Sequence, residues 1–192
     1  MTVATGVREA PTNVEAAVGH EGAFIEGPRS GRAAQYVWAV LRILMGWTFF
    51  WAFIDKLFGL GFATAADSSW LNGGSPTLGF LQFATNGPFA EFYQAIAGNA
   101  FVDALFMAGL AGIGLSLLLG IGVRIGAASG VLMLILFYTA ASMPPENNPF
   151  IHDRLVYAVI LIGLMAAGAG ETFGLGRWWA RTPVVRRFPI LK

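Results

Sequence analysis

The chain has 192 residues, 56% of them hydrophobic and 12% charged, about half the charge content of a soluble domain. Its net charge is +1 and no basic run is interleaved with aromatics, which excludes a nucleic-acid surface. Cys is absent and there are two His, so disulfides, iron–sulfur ligation and c-type haem attachment on this chain are excluded, and no metal-ligand spacing is present.

Residues 1–34 are rich in Ala, Gly, Pro and Glu and read as a mobile cytoplasmic tail, too polar to offset the entropy of ordering. His20 lies in this tail. Only His152 is near the apolar part, so one chain cannot supply two His ligands to a b-type haem there. The tail lacks the apolar core of a secretory signal.

Four long apolar segments follow, predicted as helices over 36–58, 101–121, 125–143 and 155–175. Each is near the roughly 20 residues needed to cross about 30 Å of hydrocarbon. The predicted fold is all-α, an integral membrane four-helix bundle over 35–179. Residues 180–192 form a basic cytoplasmic tail.

Basic residues set the orientation. Arg29 and Arg32 precede the first span, and Arg124 sits between the second and third. Arg177, Arg181, Arg186, Arg187 and Lys192 follow the fourth. The positive-inside rule makes that side cytoplasmic, with both termini inside a cell membrane. Tyr36 and Trp38, with Trp178 and Trp179, suit headgroup anchors there.

The connection over 59–100 is long enough to carry structure of its own. It holds a turn signature, Trp70-Leu71-Asn72-Gly73-Gly74, then two apolar patterns beginning at Pro76 and Pro88. Phe89, Phe92, Tyr93 and Ile96 recur at helical spacing. One or two short helices capping the outer end are expected. Small residues recur every four positions at Gly122, Gly126 and Gly130, and at Ala166, Gly170 and Gly174, which favours close helix packing inside the bundle.

Charge placement is sharper. Between Arg42 and Asp55 the first span has only 12 uncharged residues, about 18 Å, so some of Arg42, Asp55 and Lys56 must enter the hydrocarbon. The fourth is uncharged from Leu155 to Gly170, about 24 Å, which draws Glu171 inward. Arg42 lies about 9 Å beyond Tyr36 and Glu171 about 6 Å before Leu175, so a structural Arg42–Glu171 ion pair is expected.

At the outer end the candidates for catalysis are His152, Asp153 and Asp55. His152 has the one unperturbed pKa near neutrality. Lys56 and Arg154 suit an anion, with Asp103, Asn147 and Asn148 as further substrate-binding candidates. Two readings stand open: a reactive cluster, or a set of helix caps and ion pairs. The aromatics Trp47, Phe49, Phe50, Trp51 and Phe53 suit either a quinone ring or plain packing.

Leu41-Arg42-Ile43-Leu44-Met45-Gly46 with Asp55-Lys56-Leu57 resembles the first helix of DoxX/DoxD-type membrane proteins. Gly112-Ile113-Gly114-Leu115 and Gly120-Ile121-Gly122-Val123-Arg124 resemble the second helix and its Arg turn. Asn147-Asn148-Pro149-Phe150, His152-Asp153 and Gly174-Leu175-Gly176-Arg177-Trp178-Trp179 are similar to the thiosulfate:quinone oxidoreductase subunits of that family. The resemblance covers roughly Val37–Trp179. It implies a four-helix membrane subunit, quinone as cofactor, thiosulfate or a similar small reductant as substrate, and other membrane or peripheral redox subunits as partners. It carries no catalytic set over, so the sites above rest on charge placement. Without Cys or a haem-ligand pair, electrons would pass directly to quinone or through a partner's cofactor. The alternative function is a non-catalytic accessory or scaffold subunit of a respiratory or redox-stress complex. A small transporter is a poorer match, for want of broken helices or inverted repeats.

Overall fold

The computed structural model describes residues 31–141, 143, 145, 151–188 and 191. The tail over 1–30, with His20 and Arg29, lies outside them, as do Asn147 and Asn148. Among the described residues the protein is all-helical, without a strand.

Helix α1 spans Arg32–Phe58, α2 Leu78–Phe83, α3 Ala90–Ala95, α4 Ala100–Leu119, α5 Val123–Ala141 and α6 Asp153–Ala167. Two short helices follow, α7 over Gly176–Trp179 and α8 over Pro183–Arg187. Helix α1 takes in Arg32, Ala33 and Ala34, good helix formers that the predicted tail included. Asn99 caps α4, its side-chain oxygen accepting from the amides of Phe101 at 2.9 Å and Val102 at 3.3 Å. Gly120, at φ 73°, ends α4 in the left-handed conformation that glycine adopts without strain.

Three helices, α1, α4 and α5, are long and apolar enough to cross a membrane. The fourth predicted span is shorter than expected. Helix α6 has 15 residues, about 22 Å, and stops at Gly168 in the left-handed conformation. Beyond it Ala169–Glu171 form a 3₁₀ turn. The Gly168-Ala169-Gly170 run breaks what hydropathy alone joins together.

The helices close a ring: α1 packs on α4, α4 on α5, α5 on α6, and α6 back on α1. Their inward stripes supply one core. Met107, Leu110, Ile113 and Leu117 of α4 meet Met45 and Phe49 of α1 and Leu161 and Leu164 of α6, at the three- and four-residue spacing of one helix face. The opposite faces are apolar as well: Leu44, Leu115, Leu132, Val159 and Ile162 are all exposed. Helices apolar on every face suit a hydrocarbon surround.

Glycines set the closest approaches. A Cβ at Gly46 would lie 2.8 Å from the Leu118 amide nitrogen, and one at Gly114 would lie 2.7 Å from that of Phe50, so α1 and α4 touch backbone to backbone. Gly126 packs on Ser116 and Gly130 on Leu161, within the ring. Gly170 and Gly174, past the end of α6, crowd Gly120 and Arg42 instead. Trp38 of α1 lies over Gly163 of α6, where a Cβ would sit 2.6 Å from its ring. That ring fills a helix–helix notch.

The segment between α1 and α4 carries two 3₁₀ turns, Ala66–Ser68 and Trp70–Asn72, followed by α2 and α3. Leu81 of α2 and Tyr93 of α3 bury against Ala140 of α5 as a second small core. The Tyr93 and Thr139 hydroxyls lie 2.7 Å apart, and the Asn86 amide donates to the Ala140 carbonyl at 2.9 Å. These contacts pin α2 and α3 over one end of the ring. At the other end the expected basic tail carries α8. Val185 of α8 is buried, and the Trp179 indole donates to the Leu191 carbonyl at 2.6 Å.

Candidate functional site

Arg42 is fully buried, yet its partner is not the carboxylate the sequence suggests. Its two terminal nitrogens donate to four carbonyls: those of Leu117 and of Leu118, the latter at 3.3 Å, and those of Thr172 at 3.2 Å and Phe173 at 2.9 Å. Leu117 and Leu118 lie in the last turn of α4, where carbonyls lack helical donors and carry the negative end of the helix dipole. Glu171 is exposed and makes no ion pair with Arg42. The expected Arg42–Glu171 pair is therefore corrected. The depth estimate assumed a continuous helix through Glu171, whereas the break at Gly168 turns that carboxylate outward and aims its neighbours' carbonyls inward. Glu171 instead borders a small cavity of about 150 Å³ together with Arg124.

At the far end of the ring the polar candidates have separate partners. Asp55 is 2% exposed, and its carboxylate accepts from the amides of Phe62 at 3.3 Å and Ala63 at 3.0 Å. It folds the chain back over the end of α1. His152 is the N-cap of α6, its Nδ1 accepting from the Arg154 amide at 3.3 Å. Asp153 is exposed in the first turn of α6, where its charge suits the helix N-terminus. No hydrogen bond or ion pair links His152, Asp153 and Asp55.

Asp103, also buried, organises the approach to α2. Its Oδ1 accepts from the Ser75 hydroxyl at 2.9 Å, the Thr77 amide at 3.2 Å and the Thr77 hydroxyl at 2.5 Å. Asp103→Ala leaves these donors without their acceptor. It is expected to lower stability by about 1–3 kcal/mol and to raise protease sensitivity over 75–77, measured by thermal unfolding and limited proteolysis.

What the fold does bring together is Lys56 and Arg154. Both line a cavity of about 640 Å³, walled by α4 and α5 and roofed by α2 and α3. That volume lies within the roughly 300–1,000 Å³ of small-molecule sites. Its walls are apolar and aromatic, with Phe80, Phe106 and Phe137 prominent. Arg154 donates to the Phe137 carbonyl at 3.3 Å, and its guanidinium lies 5.8 Å from the Phe137 ring centre and 6.0 Å from that of Phe80. Lys56 makes no hydrogen bond or ion pair with any described residue. Thr77, held by Asp103, forms part of the rim.

Residue identity alone did not point to Phe80, Phe106, Gly109 or Phe137 as cavity walls. The one signal in the sequence is the apolar pattern beginning at Pro76, which contains Phe80. The aromatics of α1 take other places. Phe49 is in the core, while Trp47 and Trp51 pair with each other at 5.6 Å and Trp51 meets Phe62 edge-on at 5.1 Å. Among the described residues no three His, Cys, Asp or Glu side chains converge as a metal ion requires.

No protein-family model, curated protein or solved structure matches the chain.

Proposed function

We propose that this chain is the quinone-binding membrane subunit of a redox complex, embedded in the cell membrane as a four-helix bundle with both termini cytoplasmic. The supporting observation is the cavity itself: about 640 Å³, apolar, ringed by Phe80, Phe106 and Phe137, with Lys56 and Arg154 as its two cations. A quinone needs flat apolar walls for its ring and donors or cations for its carbonyl oxygens. When bound, it supplies two-electron acceptance. Lys56 and Arg154 hold the negative charge that arrives with the electrons, and the apolar walls exclude water around them. Thiosulfate or a similar small anion is the proposed reductant, approaching the same two cations from the α2–α3 end. Its pairwise oxidation to tetrathionate releases two electrons, matching one quinone reduced with two protons.

The test uses the full chain in lipid nanodiscs, with and without the proteins that copurify with it. Saturable binding of a decyl-tailed benzoquinone, and its reduction by thiosulfate, are expected. Lys56→Met is expected to weaken quinone binding at least tenfold while leaving the unfolding midpoint within about 2 °C, since Lys56 has no partner to lose. Binding unchanged in Lys56→Met, or no quinone binding at all, overturns the proposal.

A second reading, a non-catalytic accessory or scaffold subunit, is favoured by one observation. Asp55, Asp103 and His152 are each engaged in holding backbone, not in facing one another. Quinone binding without thiosulfate oxidation, in the chain alone and in its complex, would select it.

A further inference from the structure

The contacts between α4 and α5 grow in size along the pair. Next to the Gly120–Gly122 turn, a Cβ on Gly126 would lie 2.7 Å from Ser116 Cβ. One turn on, a Cβ on Gly130 would lie 3.4 Å from Ile113 Cγ2. Beyond that Met133 must reach across to Gly109, its methyl 2.6 Å from where a Cβ would stand. At the last level two whole rings span the space, Phe106 and Phe137, with centres 5.9 Å apart and edge to face. Small side chains meet at one end and aromatic rings at the other, so the two backbones diverge from their connecting turn. The large cavity occupies that wedge.

The wedge is roofed but open on one flank. Leu105 of α4 and Leu132 and Leu136 of α5 line the cavity, yet they are 63%, 59% and 48% exposed. Residues that line a cavity and face outward form its rim. Both helices are long and apolar enough to cross a membrane, so the medium at that rim is acyl chain rather than water.

We propose that the cavity is loaded sideways from the bilayer, through the gap between α4 and α5. Its ligand is an amphiphile with a long alkyl or isoprenoid tail. The polar head lies toward Lys56 and Arg154, and the tail threads past Gly109 between Leu105 and Leu132. Gly109 is the specificity-determining position, because a side chain there would displace the Met133 methyl that now covers it and push that side chain into the tail's path. The nature of the head rests on the quinone reading above; the tail path does not.

The test places the full chain in nanodiscs with two photoreactive probes, each with a diazirine near the end of its tail. One is a decyl-tailed benzoquinone, the other a palmitic acid. Crosslinked peptides are mapped by mass spectrometry. Labelling concentrated on α4 and α5 around Leu105, Gly109, Leu132 and Leu136 is expected, and it falls at least fivefold in Gly109→Leu. Leu132→Trp, at an exposed rim position, provides the same comparison should Gly109→Leu fail to fold. Labelling spread evenly over α1 and α6, or unchanged in both variants, overturns the tail path. Saturable quinone binding without gap labelling leaves the quinone reading intact and removes the path. Gap labelling by palmitate alone keeps the path and removes the quinone.

Discussion

Arg42→Met lowers the midpoint of thermal unfolding by roughly 10 °C, the equivalent of about 3–5 kcal/mol for a domain of this size. Two effects oppose each other. The variant no longer buries a cation, which recovers the cost of stripping water from a guanidinium. It also leaves the carbonyls of Leu117, Leu118, Thr172 and Phe173 converging on an apolar space with no donor. Each unsatisfied carbonyl in such a place costs about 1–3 kcal/mol, and four outweigh one recovered desolvation. Arg42→Lys keeps the charge but not the planar fork that reaches two segments at once, so it lies between Met and the parent. Glu171→Gln shifts the midpoint by less than about 2 °C, because the carboxylate is exposed and unpaired with Arg42. Thermal unfolding of all three in one lipid decides the matter. A large loss in Glu171→Gln would restore the ion pair.

Asp55→Ala is the second large effect, expected at about 2–4 kcal/mol. A buried carboxylate that accepts two amides contributes more than a neutral acceptor, and its loss strands the Phe62 and Ala63 N–H groups at the end of α1. Asp55→Asn keeps one acceptor oxygen and recovers about half. The measurements are thermal unfolding and protease cleavage over 59–69. A catalytic carboxylate behaves differently: Asp55→Ala would then keep its stability and lose thiosulfate-dependent quinone reduction.

These two residues also show how far the sequence could be read. Twelve uncharged residues between Arg42 and Asp55 are too few to cross hydrocarbon, and that arithmetic drew some of Arg42, Asp55 and Lys56 inward; Arg42 and Asp55 are the two that the fold buries. Their partners were not readable. Backbone carbonyls and amides have no side-chain identity, so nothing in the letters at 117, 172 or 62 announces an acceptor or a donor. Opposite charge points to Glu171, one and two positions before the carbonyls of Thr172 and Phe173 that Arg42 meets. Helical periodicity foretold α3 from Phe89, Phe92, Tyr93 and Ile96, and turn chemistry foretold the bends near Gly73. Hydropathy overran α6, because Gly168 and Gly170 do not interrupt an apolar run yet do end a helix. Lys56 and Arg154 were legible as cations suited to an anion. The cavity they share was not, since it arises from the divergence of α4 and α5, a relation between backbones that no single residue encodes.

The Arg42 cage also orders events in time. Its acceptors at Thr172 and Phe173 lie 130 and 131 residues further along the chain. When α1 first leaves the ribosome and meets the membrane, its guanidinium has none of them. A cation without acceptors favours the headgroup level, and its first two acceptors, the Leu117 and Leu118 carbonyls, arrive only with α4. A product truncated before residue 117 therefore lacks all four acceptors, and one truncated between 118 and 172 offers only the two at the end of α4, so the cage closes in two stages set by the order of synthesis.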